Sequence, residues 1–153
     1  MPVAVGIGYD SHRFEAGRRL VLGGVEIPHE RGLAGHSDAD VLSHAVIDAL
    51  LGAAGLDDIG RHFPDSDDVW KDADSLDLLR TVVGMCPGVI TNIDATVICE
   101  EPRLGQHREA IVASLREVTG SRCNLKATTN EGMGWIGRGE GIACIAVASL
   151  ELP

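Results

Sequence analysis

Val3-Ala4-Val5-Gly6-Ile7-Gly8-Tyr9-Asp10 is the stretch whose reading decides the fold. Val3, Val5, Ile7 and Tyr9 alternate with Ala4, Gly6, Gly8 and Asp10, the period of two that marks a β-strand. One face of this strand is large and apolar, and the other is unusually small. His12 stands two residues beyond Asp10, so both side chains emerge on the small face. The strand therefore ends in a carboxylate and an imidazole on the face that Gly6 and Gly8 keep small, as expected where backbone must approach a ligand closely.

Further along, Leu20-Val21-Leu22 and Val25-Glu26-Ile27 flank Gly23-Gly24, a hairpin signal. A helix is expected from about Asp38 to Ala53, with Leu42, Ala45, Val46, Ala49, Leu50 and Ala53 at helical spacing. Gly55 to Asp74 reads as irregular and polar, with Pro64 and five aspartates between Asp57 and Asp68. A second helix should start near Asp74-Ser75 and stop before Pro87-Gly88. Ile93, Ala95, Val97 and Cys99 alternate as a strand. A third helix is expected over Arg103 to Val118, ending at Gly120. Cys123 to Thr128 and Ile142 to Leu150 read as strands, the last so apolar that burial on both faces is expected. The sum is an α+β fold, a mixed β-sheet with helices packed on one side, filling residues 1–153 as a single domain.

Aromatic residues make up only 3% of the chain, so the core must come from Val, Ile, Leu and Ala. Cys86, Cys99, Cys123 and Cys144 form no C-x-x-C pair and read as reduced, buried small residues. A net charge of −10 argues against nucleic acid or an anionic membrane as partner. No targeting segment or membrane-length apolar run is present, and a cytoplasmic location is expected. So acidic a protein needs local positive charge to bind a polyanion, and metal ions supply it.

Asp10, His12 and His44 are the candidate ligands. Two imidazoles and one carboxylate leave the fourth position of a tetrahedral zinc open, the catalytic pattern. Asp48, one turn beyond His44, is expected to accept the second ring N–H of that histidine. On spacing alone, Asp-x-His also fits a surface turn, and His44 a satisfied histidine at a helix edge. Ser37 or Asp38 also fits a simple helix N-cap.

The second cluster is Thr128-Thr129-Asn130-Glu131-Gly132, followed by Trp135 and Gly137-Arg138-Gly139-Glu140-Gly141. Its hydroxyls and backbone N–H groups can face anionic oxygens. Glu131 can hold a hard cation such as Mg²⁺, and Arg138 can make charge-assisted bonds to phosphate. The glycine-rich run equally fits a flexible turn, and Arg138 and Glu140 fit an axial cavity as well as a cleft.

Taken jointly, Gly8-Tyr9-Asp10-Ser11-His12, Gly23-Gly24-Val25, His36-Ser37-Asp38-Ala39-Asp40-Val41, Asp48-Ala49-Leu50-Leu51-Gly52, Asp58-Ile59-Gly60, Phe63-Pro64-Asp65, Lys126-Ala127-Thr128-Thr129 and Gly137 to Ala143 resemble the 2-C-methyl-D-erythritol 2,4-cyclodiphosphate synthases of the non-mevalonate isoprenoid pathway. The resemblance spans nearly the whole chain in family order. It implies a homotrimer with active sites between subunits, one Zn²⁺ per subunit on Asp10, His12 and His44, and a second divalent ion, Mg²⁺ or Mn²⁺, on Glu131. The implied substrate is 4-diphosphocytidyl-2-C-methyl-D-erythritol 2-phosphate, converted to the cyclic diphosphate with release of CMP. His36 and Thr129 would steady the transition state, and Ser37 and Asp65 would hold the methylerythritol phosphate. Asp58 and Gly60 would meet the ribose, and the loop from Cys99 to Gln106 the cytosine. Further substrate contacts implied are Asp10, Ser11, His12, Ile59, Phe63, Pro64, Ser66, Asp67, Thr128, Asn130, Glu131, Trp135 and Arg138.

Three features depart from the family pattern: Asn130 where a third threonine is common, Trp135 for a frequent Phe, and the acidic pair Glu100-Glu101 in the nucleotide loop. Two other functions use the same metal set. A metal-dependent phosphoesterase would activate water and release inorganic phosphate, and a metal-stabilised binding protein would tolerate loss of Thr129.

Overall fold

The computed structural model describes all 153 residues. Strand β1 (Val3–Ala16) runs well past Asp10 and pairs antiparallel with β7 (Gly141–Glu151) along nearly its full length. Strand β4 (Arg31–Leu33) closes the other edge of β1. On the far side of β7 lies β5 (Val89–Ile98), antiparallel to it, followed by β6 (Arg122–Thr128), parallel to β5. The order β4-β1-β7-β5-β6 is a mixed sheet, as expected. Strands β2 (Leu20–Leu22) and β3 (Val25–Ile27) form the separate hairpin, and Gly23 and Gly24 take φ of +60° and +76° at its tip, where a Cβ would be strained.

Helix α1 (Val41–Ala54) lies directly on the small face of β1. A Cβ at Gly8 would stand 1.9 Å from the Ala45 carbonyl oxygen, and one at Gly6 2.0 Å from that of Ala49. Glycine at both positions lets helix backbone touch sheet backbone. The helix starts at Val41 rather than near Asp38 because Asp40 is its N-cap, accepting the Ser43 N–H at 2.9 Å. The same buried carboxylate accepts the N–H groups of Gly23 and Gly24, so the hairpin tip is tied to the start of α1. Burial pushes this carboxyl up from its ordinary value, and these donors offset the cost of keeping it there.

The polar stretch after Gly55 is not wholly irregular: α2 (Ile59–His62) and a 3-10 turn at Asp68–Trp70 are capped by Asp58 and Asp67. Helix α3 (Ser75–Met85) starts where expected, with Asp74 as its cap. Helix α4 (Arg108–Thr119) begins five residues later than the sequence pattern suggests. Gly105 disfavours the α-helix there, and Gly105–His107 winds as a 3-10 turn instead. A short turn of helix, α5 (Gly134–Gly137), precedes β7.

The core lies between the sheet and α1, α3 and α4, and is almost entirely aliphatic. Cys99, Cys123 and Cys144 are buried thiols within it. The opposite sheet face is uncovered. Val5, Ile7 and Tyr9 are 55–70% exposed, and beside them Ile145 and Val147 of β7 are 38% and 39% exposed. The expectation that β7 is buried on both faces therefore fails for a single chain, because no second layer packs against that side.

Candidate metal centre and substrate cleft

Asp10 and His12 project from the small face of β1, and His44 descends from α1 to meet them. One ligand atom from each lies within 4.8 Å of the others. Asp10 Oδ2 is 2.8 Å from His12 Nε2 and 3.1 Å from His44 Nδ1. The two imidazole nitrogens are 3.4 Å apart. Burial pushes the Asp10 carboxyl up, but hydrogen bonds and positive charge from His12 and His44 outweigh it and hold the group at about 2. Burial also pushes His12 down, and the Asp10 carboxylate more than reverses this, leaving His12 above its ordinary value. Such a proton-sharing cluster is what a divalent cation replaces when it binds.

The rings are held from behind. His12 Nδ1 lies 2.8 Å from the Ala34 carbonyl oxygen, which can only accept. That nitrogen is therefore a donor, and once Nε2 gives up the proton it shares with Asp10 its lone pair faces the cluster, free for a cation. His44 Nε2 meets Ser75 Oγ at 2.8 Å and Ser37 Oγ at 3.2 Å, while Ser75 donates to Asp38. Asp48 does not serve His44 as expected from the sequence. Its carboxylate accepts the Ile59 N–H at 2.8 Å and braces the start of α2. Two nitrogens and one carboxylate oxygen aimed at one point fit a zinc ion.

The cluster opens into a cleft of about 460 Å³. Its walls include His36 and Ser37 from the loop after β4, and Ile59, Gly60, Phe63, Pro64 and Asp65 from the segment around α2. The His36 loop is pinned by backbone bonds from Asp72 to His36 and from Asp38 to Ala73. Arg18 grips it from the other side, donating to the carbonyls of Gly35 and Ser37. His36 is half-buried, with Nε2 3.3 Å from the Asp67 carbonyl oxygen. Asp58 caps α2 through the Arg61 N–H. Ser66 and Asp67 follow the cleft wall, and Asp67 caps the next turn through the Val69 N–H. Ser11 points to the other side of β1 and lines a different cavity with Trp135 and Glu140.

Thr128 and Thr129 line a separate cavity of about 300 Å³ with Cys99, Glu100, Pro102 to Gly105 and Arg108. No residue lines both this cavity and the metal cleft. The turn after Thr129 also differs from expectation. Its backbone N–H groups are already taken: the Glu100 carboxylate accepts those of Asn130 at 2.7 Å and Gly132 at 2.9 Å, and Thr129 Oγ1 accepts that of Glu131. An internal carboxylate fills the concavity that the bare sequence offers to phosphate, and Glu131 is held between at φ +54°. Its own carboxylate is left exposed. Arg138 is exposed and paired with Glu140, and it does not line the metal cleft.

The YgbB family model matches residues 3–151. The 2-C-methyl-D-erythritol 2,4-cyclodiphosphate synthase of Alkaliphilus metalliredigens (strain QYMF) is 55% identical over 152 residues, covering 95% of this chain and 96% of that protein. The chain belongs to the YgbB family of cyclodiphosphate synthases. The fold agrees. A solved 2C-methyl-D-erythritol-2,4-cyclodiphosphate synthase in its CDP-bound form superposes with a TM-score of 0.87 at 37% identity, over 96% of this chain and 99% of that one. The bifunctional IspDF from Campylobacter jejuni gives 0.95 at 39% identity over 99% of this chain, which spans 43% of that longer protein.

Within this YgbB-family chain, sequence reasoning missed Ser75, Arg18 and the grip of Glu100. Ser75 sits beside a helix cap, which gave its hydroxyl a sufficient local explanation. Arg18 acts through carbonyls, and nothing in a linear pattern marks that. Glu100 did leave a signal, an acidic pair inside a loop expected to face a nucleotide, but its partners lie 30 and 32 residues away.

Proposed function

We propose that this chain converts 4-diphosphocytidyl-2-C-methyl-D-erythritol 2-phosphate to 2-C-methyl-D-erythritol 2,4-cyclodiphosphate and CMP, as a homotrimer with clefts shared between neighbours. The observation that carries this reading is the convergence of Asp10, His12 and His44 at the head of the cleft, in a chain whose relatives carry that enzyme's name. The bare apolar face of β1 and β7 supports assembly, since a contiguous exposed apolar surface marks an interaction site. The separation of the Thr128–Thr129 cavity from the metal cleft within one chain supports completion of each site by a neighbour.

The reaction needs no protein nucleophile. The substrate's 2-phosphate oxygen forms a bond to the β-phosphorus, the bond from that phosphorus to the bridging oxygen breaks, and CMP leaves with that oxygen. The work left for the protein is to fold the substrate back on itself and to neutralise charge. Asp10, His12 and His44 would hold zinc, and Glu131 a second divalent ion, and these ions supply Lewis-acid neutralisation of the diphosphate. Ser37 and Asp65 orient the methylerythritol phosphate, and Asp58 and Gly60 the ribose. His36 and Thr129 donate hydrogen bonds where charge grows on the β-phosphate. The apolar wall of Ile59, Phe63 and Pro64 keeps water from the reacting phosphorus.

Supplying zinc-loaded protein with the diphosphocytidyl substrate and following phosphorus NMR tests this reading. Equimolar CMP and cyclic diphosphate are expected. Release of inorganic phosphate in their place contradicts it.

A further inference from the structure

Ser75 is fully buried, yet its hydroxyl is not needed to start α3, because Asp74 caps that helix through the Leu76 N–H. Its bonds form a directed chain. The Asp38 carboxylate can only accept, and it takes the Ser75 N–H at 3.0 Å on Oδ2 and the Ser75 hydroxyl on Oδ1. The one hydroxyl proton of Ser75 is thereby committed to Asp38. Its oxygen can then only accept from His44 Nε2, 2.8 Å away. Ser37 Oγ, itself accepting the Ala39 N–H, sits 3.2 Å from the same ring edge. In a neutral His44 ring these acceptors favour the proton on Nε2, which leaves the Nδ1 lone pair facing Asp10 and His12, free for a cation. The competing tautomer would place the proton on Nδ1, donate it to Asp10 Oδ2 at 3.1 Å, and remove a ligand atom from the cluster.

We infer that Ser75 and Asp38 are positioning residues which fix the tautomer of His44 and thereby set how tightly Asp10, His12 and His44 hold a divalent ion. This rests on the reading of those three residues as a metal centre. The relay starts outside the cleft, on α3 and in the loop before α1, so neither residue needs to touch substrate. It takes the place that Asp48 occupies in the sequence-based expectation.

Two variants of the full chain disturb the relay by different chemistry. Ser75→Ala removes the nearer acceptor for Nε2–H and leaves only Ser37 Oγ at 3.2 Å. Asp38→Asn can turn its amide N–H toward Ser75 Oγ, which frees the serine hydroxyl to donate to His44 and favours the wrong tautomer. Long-range proton–nitrogen NMR on the imidazoles at pH about 8 reads the tautomer in metal-free protein, and competition with a chromogenic chelator reads zinc affinity. The parent should show His44 with its proton on Nε2. Both variants should shift population to Nδ1–H and lose about 10–100-fold in zinc affinity, and Ser75→Thr, which keeps the hydroxyl, should recover most of it. If His44 stays entirely Nε2–H in both variants, the relay is overturned, even where zinc affinity falls. A shifted tautomer with unchanged zinc affinity overturns it as well. A parent that binds no zinc at all defeats the metal-centre reading instead, while the metal-free tautomer spectra still decide whether the relay fixes His44. Should Ser75→Ala fail to fold, Asp38→Asn alone carries the comparison.

Discussion

The metal cleft and the Thr128–Glu131 turn are the two polar regions that the proposed chemistry needs, and they are built in opposite ways. Asp10, His12 and His44 stand on a long strand and a long helix locked together by glycine contacts. Their ring nitrogens are directed from behind by a carbonyl and by a serine–aspartate chain. The Thr128–Glu131 turn is exposed, and its shape comes from one carboxylate, Glu100, reaching across from the loop after β5. The first region is rigid within one chain. The second is shaped by one chain but shares no lining residue with that chain's own metal cleft, which is what a site completed by a neighbour requires.

The strongest way to break the first region is to remove a ligand. His44→Ala should take turnover to background and zinc content per chain down with it, while circular dichroism stays close to the parent. Near-normal activity with no bound zinc would refute the ligand assignment. Gly8→Ala attacks the packing beneath the same cluster. Its Cβ would meet the Ala45 carbonyl at 1.9 Å, and a backbone cannot yield as a side chain can. A loss of about 3 kcal/mol or more is expected, read as a lower midpoint in urea. A midpoint equal to the parent's would mean that α1 can lift off the sheet at little cost.

Glu100→Ala breaks the second region and leaves the first alone. It releases two backbone N–H groups from a charged acceptor, and a fall of about tenfold in kcat/KM is expected, on the scale of one charge-assisted hydrogen bond. Zinc content should stay at the parental value. Activity unchanged within twofold would show that the turn holds its shape unaided. The smallest effect belongs to Asp48→Ala. With the carboxylate bracing Ile59 rather than His44, the loss should raise KM several-fold through a loosened cleft wall, consistent with about 1 kcal/mol for a capping bond. Zinc affinity should not move, and a clear drop in it would restore the link to His44.

The sequence carried the sheet, the hairpin and the start of α3 plainly, because alternation, Gly-Gly and Asp-Ser are local signals. It carried the metal triad almost as well, since Asp10 and His12 share a face by strand period and His44 faces them once α1 sits on Gly6 and Gly8. What stayed hidden depends on distance along the chain. Asp48 was paired with His44 because one helical turn separates them, whereas the real partner, Ser75, lies 31 residues on. The turn at Asn130 looked open to phosphate because its occupant comes from residue 100. The apolar run of β7 suggested burial on both faces, and a sequence has no mark for which face of a sheet its helices leave bare.

The claim that joins both regions is that each working site takes its metal half from one chain and its Thr129 half from another. His44→Ala and Thr129→Ala damage opposite halves, and either homotrimer alone should be nearly inactive. The two variants can be unfolded together and refolded as a random 1:1 mixture, with mixed trimers confirmed by native mass spectrometry. In a cyclic trimer each site draws its halves from two independent chains, so about a quarter of the sites should be intact, and roughly that fraction of parental activity should return. No recovery in confirmed mixed trimers would place both residues in a site within one chain and contradict the shared cleft.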